Sequence, residues 1–131
     1  MLARFAGATA VAAVVIALTS LALLFVPLPT GAAGRSLLTT AWCFVPVIWG
    51  VWALLTPHAW MPQRLPLWGA ILGLIAGIMA AFVLDFPERI AGVSLNMLQR
   101  ALALPLAMAI YYLLWMIVRR VCEALTHPQA A

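Results

Sequence analysis

GAILGLIAGIMAAFVLDFPER, residues 69–89, places Gly69, Gly73 and Gly77 at four-residue spacing, then Ala81, then the chain's only aspartate, Asp85. On a helix this spacing keeps the small residues close to one stripe, which Ala76 and Ala80 broaden. Glycine in a helix is costly unless a neighbour needs the space. Hydrocarbon gains nothing by meeting glycine, whereas a second helix can approach closely and gain dispersion contacts. The stripe therefore predicts a tightly crossing helix. A helix of the same chain is the favoured partner. The first apolar segment suits it, since Ala6, Ala10, Ala13 and Ala17 make that helix smooth as well. A second protein chain is the sharper alternative.

The rest of the chain reads the same way. Of 131 residues, 67% are hydrophobic and 8% charged, against about 45–50% and about 25% in an ordinary soluble domain. A soluble fold of this size lacks the interior to hide that much apolar surface. Four segments reach about the 20 residues that a spanning helix needs: Phe5–Val26, Ser36–Leu55, Leu67–Leu84 and Ala101–Val118. Proline-rich stretches and the Arg119–Arg120 pair stop them. Backbone groups in lipid must be satisfied within the segment, and the alternation of a barrel strand is absent. The expected fold is all-α, a polytopic four-transmembrane-helix bundle forming one membrane domain over 1–131. Phe5–Val26 exceeds the about 7–15 residues of a signal-peptide core and is read as a retained helix.

The net charge of +4 rests on seven arginines and no lysine, a composition of GC-rich bacterial genomes. The arginines are spread singly, unlike the basic stripe of a nucleic-acid binder. Arg4, Arg64, Arg119 and Arg120 fall on one side of the expected membrane, and Arg35, Arg89 and Arg100 on the other. That balance favours cytoplasmic termini in a bacterial inner membrane.

Asp85 to Arg100 reads as a short amphipathic helix before the last span. Asp85 caps it, Pro87 fits its first turn and Glu88 completes a capping box. Ile90, Val93, Met97 and Leu98 share one face, and Arg89, Asn96, Gln99 and Arg100 the other. Asp85 is expected to pair with Arg89 four residues on.

Trp42, Pro46 and Trp49 share one face of the second segment, with Trp52 nearby. Pro46 and Pro105 each remove one helical hydrogen bond. Trp60 and Trp68 fit the headgroup belt. Trp42 and Trp49 lie too deep for it, and they read as bulk opposed to the small-residue helices. The alternative is a partner or ligand face, formed with Tyr112 and Trp115, for a flat apolar molecule such as a quinone or lipid tail. Tyr111 and Tyr112 need hydroxyl partners, which Thr19, Ser20, Thr39, Thr40 or a carbonyl near Pro46 can supply.

No Asp, Glu, His, Lys or Arg falls inside a span, so the proton relays and ion paths that such residues mark are not indicated. The first helix lacks the glutamate of small multidrug carriers. The motifs of fluoride channels, membrane glutathione-type transferases and haem-anchoring subunits are also missing. Ser20, Ser36, Cys43 and Ser94 have no evident base nearby. Cys43 and Cys122 are not expected to form a disulfide. His58 lies in a loop and His127 in a tail, and no metal or cofactor motif emerges. The sequence points to a non-catalytic accessory or scaffold subunit of a membrane complex, with membrane lipids and other membrane subunits, or itself, as partners. A small homo-oligomeric transporter or channel is the alternative, and a membrane toxin, immunity or antiphage component a third.

Overall fold

The computed structural model describes residues 2–27, 29, 31–57, 59 and 63–126. His58, Trp60 and His127 lie outside them. The helices are α1 (Leu2–Leu23), α2 (Gly31–Leu54), α3 (Leu65–Ile78), α4 (Phe86–Ala91) and α5 (Met97–Thr126). A π-helical turn, Met79–Val83, continues α3. No strand occurs among the described residues. Four helices are long and apolar enough to cross a membrane: α1, α2, α3 with its π turn, and α5.

Local sequence explains the boundaries. Pro66 opens α3 at a position where a missing N–H costs nothing. Asn96 and Gln99 open α5 with a capping box: the Gln99 N–H donates to Asn96 Oδ1 at 2.8 Å, and the Asn96 N–H donates to Gln99 Oε1 at 3.0 Å. The single amphipathic helix expected over 86–100 is corrected here. Gly92, at φ 66°, ends α4 in the left-handed conformation, and α5 begins only at Met97.

The four long helices touch in series, α2 against α1, α1 against α5, and α5 against α3, while the short α4 packs back onto α2. Glycines mediate each contact of the series. A Cβ on Gly50 would lie 2.5 Å from Thr9 Oγ1 of α1, and one on Gly7 would lie 2.8 Å from Cys122 Sγ of α5. The stripe of α3 does the same against α5. A Cβ on Gly69 would sit 2.0 Å from Trp115 Cγ, and one on Gly73 would sit 2.7 Å from Tyr111 Cβ and 2.8 Å from the Ala107 carbonyl oxygen. On Gly77 it would meet Leu104 Cδ2 at 3.1 Å and Ala107 Cβ at 3.2 Å. The partner of the stripe is thus α5, and the expectation of the first helix is corrected. The antiparallel register steps by four on both sides, 69–73–77 against 115–111–107.

Arginines close helix ends. The last carbonyls of a helix lack intrahelical donors and carry partial negative charge. Arg35 of α2 donates to the carbonyls of Leu23 and Val26, at the end of α1, at 3.5 and 3.4 Å. Arg4 of α1 donates to the Thr56 carbonyl just past α2 at 3.4 Å. Arg100 of α5 donates to the Ala81 carbonyl in the π turn. Each arginine serves a helix other than its own.

The glycine contacts predict a graded response to alanine. Overpacking costs about 1–3 kcal/mol, while replacing glycine by alanine in a helix returns up to about 1 kcal/mol. Gly69→Ala should cost about 2 kcal/mol net, Gly73→Ala somewhat less, and Gly77→Ala should be near neutral. Unfolding titrations in mixed micelles will rank them, and an equal loss at all three positions would contradict this packing.

Candidate functional site: an apolar recess between α2 and α3

Because contact runs from α2 through α1 and α5 to α3, the backbones of α2 and α3 are left without a comparable contact of their own. Between them lies a recess of about 560 Å³. Trp42, Phe44 and Ile48 form its α2 wall, and Ile75, Ala76 and Ala80 part of its α3 wall. Ala107 and Tyr111 of α5 form its floor. The volume falls within the range of small-molecule sites, about 300–1,000 Å³.

Aromatic residues span the gap where backbones do not. At the inner end Trp52 and Trp68 stack, with ring centroids 4.7 Å apart and planes at 16°. Each indole N–H donates to the other residue's carbonyl, both at 2.8 Å. Such a reciprocal clasp satisfies two indole donors in an apolar setting and fixes the separation of α2 and α3 at that level. Trp68, expected in the headgroup belt, stands at the start of α3 and makes this pairing there. Deeper in, Trp49 tilts against Tyr111 and Trp115, with centroids 5.4 and 5.6 Å away. Trp115 is wholly buried over Gly69. The indole N–H of Trp115 is buried without a hydrogen-bond acceptor, and that of Trp49, also buried, has the Tyr111 hydroxyl as its one neighbouring side-chain acceptor, outside good hydrogen-bond geometry. The aromatic faces around them are the weaker acceptors at hand.

The face expected to join Trp42, Pro46, Trp49, Tyr112 and Trp115 divides accordingly. Trp49 and Trp115 belong to the core, Trp42 to the recess wall, and Tyr112 is 42% exposed and lines neither. Tyr111 takes the place given to Tyr112. Pro46 lies within α2, and its carbonyl accepts from Thr9 Oγ1 at 3.3 Å rather than from a tyrosine. Thr19, Thr39 and Thr40 bond back to carbonyls of their own helices. Cys43 is exposed, Cys122 is buried, and they form no disulfide.

The outer end of the recess lies where the π turn passes into α4, with Leu84 and Phe86 on its lining. Asp85 sits between them at φ 51°, in the left-handed region that aspartate tolerates better than most residues. An N-cap ordinarily has extended backbone angles. At this φ the Asp85 side chain makes no capping bond, so the capping box with Glu88 is not formed. The carboxylate instead meets Arg100 at 3.1 Å, with both side chains more than two-thirds buried, and the expected pair with Arg89 is corrected. Arg100 also donates to the Leu95 carbonyl at 3.1 Å. One guanidinium therefore joins the π turn of α3, the Asp85 corner and the start of α5. Arg89 and Glu88 are exposed on α4.

Ala81 is buried, as are all three glycines of the stripe. That stripe is consumed within the chain, and what remains open is the side it leaves between α2 and α3. Neither protein-family models, nor characterised proteins, nor solved structures include a match to the chain.

Two pairs of substitutions probe the ends of the recess. Asp85→Asn keeps a residue suited to the left-handed corner, so it isolates the charge. In a double-mutant cycle with Arg100→Gln the coupling should be about 0.5–3 kcal/mol, the range for residues in one network. At the other end, Trp52→Phe and Trp68→Phe each remove one hydrogen bond and should each cost about 1 kcal/mol. The pair together should cost less than their sum, because each variant already loosens the clasp. Full additivity would separate the two bonds.

Proposed function

We propose that the protein is inserted in the cytoplasmic membrane of a bacterium and serves as a non-catalytic accessory or scaffold subunit of a larger membrane assembly. Composition supports insertion, since the exposed side chains of the four long helices are overwhelmingly apolar. The arginine balance, Arg4, Arg64, Arg119 and Arg120 against Arg35, Arg89 and Arg100, favours cytoplasmic termini. Scaffold activity needs surfaces rather than reacting groups, and Arg4, Arg35 and Arg100 are engaged in closing helix ends.

The observation that carries this reading is the serial, open arrangement of the long helices. A self-sufficient bundle covers every inner face, whereas α2 and α3 leave a side unfinished. A further membrane component completes it by packing across the rims. The transporter or channel reading requires a polar lining, and the recess offers Tyr111 and the indole of Trp42 as its polar side chains.

Photo-crosslinking in native membranes tests the assignment. A photoreactive residue at Phe44 or Ile75, on the rims, should give one discrete adduct with a second membrane polypeptide. The same group at the exposed Leu113 of α5 should not. A lone, monodisperse protein with flux of its own in proteoliposomes would overturn the reading.

A further inference from the structure

We propose that the recess seats one acyl chain of an anionic amphiphile, with its head group held at Arg89; this rests on membrane insertion but not on the identity of any partner subunit. Along α3 the lining runs from Leu72 to Leu84, about 18 Å at 1.5 Å per residue. That is close to one leaflet, half of a hydrocarbon core of about 30 Å. The inner end is blind. Tyr111 lies on the floor, and the stacked Trp52–Trp68 pair closes the gap between α2 and α3 beyond it. A transmembrane helix, which needs about 20 residues to cross, cannot lie along such a slot. A flexible chain entering from one leaflet can.

Charge at the outer end selects the head group. Arg35 is committed to the carbonyls at the end of α1. Arg100 is committed to Asp85, Ala81 and Leu95. Asp85 is thereby neutralised. Arg89 is exposed, and its guanidinium makes no hydrogen bond or ion pair with the described residues. It lies three residues after Phe86, so on α4 it is the neighbour of the side chain that lines the recess mouth. Glu88 is two residues from Phe86, a spacing that turns it away from that face. A cation one helical turn from an apolar slot fits a lipid of net negative charge better than a zwitterionic one.

The purified protein in nanodiscs of phosphatidylcholine, doped with spin-labelled phosphatidylglycerol or spin-labelled phosphatidylcholine, tests the assignment. The electron paramagnetic resonance spectrum should contain an immobilised component, favouring phosphatidylglycerol by about fivefold, the worth of one arginine near an anionic surface. Ala76→Leu on one wall and Ala41→Leu on the other should each abolish that component. Ala109→Leu, on the exposed side of α5, should leave it intact. Arg89→Gln should equalise the two lipids while the immobilised component persists. Immobilisation that survives both wall variants in folded protein would overturn the acyl site, and equal retention of both lipids by the wild type would overturn the anionic head group. Failure of the chain to enter nanodiscs would instead remove the premise of insertion, and loss of crosslinked partners would bear on the subunit assignment alone.

Discussion

The closeness of α3 to α5 is the contact on which the remaining packing depends. Three glycines let the α3 backbone settle onto Trp115, Tyr111 and Ala107, so dispersion contact replaces what lipid could never supply. Burying Trp115 there makes it the support for Trp49, and Trp49 in turn sets the distance of α2. Indole rings are wider than methyl groups. A helix held off by tryptophans stands further away than one held by glycines, and the recess between α2 and α3 is the difference between those two kinds of spacer.

Three arginines and three threonines divide the helix carbonyls between them. Arg4, Arg35 and Arg100 each reach across to the closing carbonyls of a neighbouring helix, and the threonines turn back on their own helices. A planar guanidinium with several donors can bridge two or three acceptors at once, which an ammonium on a flexible stem does less well. The lysine-free composition has a physical counterpart in these bridges. The π turn belongs to the same scheme: it presents the Ala81 carbonyl to Arg100 at the point where the chain turns sharply through Asp85.

The four apolar helices were legible because their length and composition leave few alternatives. Their ends were less so: the Asn96–Gln99 capping box starts α5 four residues before the apolar stretch, whereas α1, its end bonded by Arg35, stops at Leu23, three residues short of it. The stripe of Gly69, Gly73 and Gly77 announced a close neighbour without naming it. The name was present in the matching step of Trp115, Tyr111 and Ala107, read backwards along the last helix. Gly92 carried the break between α4 and α5, and Asn96 with Gln99 the capping box assigned instead to Asp85 and Glu88. The recess was not legible at all. It arises from which helices fail to meet, and pairwise spacing in one segment carries no record of that.

The order of contacts also constrains how the molecule is made. As the chain is synthesised, α1 and α2 can pair as soon as both have emerged, whereas α3 finds its glycine-matched partner only in α5, which emerges after it. A polypeptide stopped before residue 97 would hold a paired hairpin and a third helix tied to it only by the Trp52–Trp68 clasp and the packing of α4 on α2. The final helix is thus a keystone, and recognition of an incomplete chain by quality control would fall on the bare glycine ridge of α3.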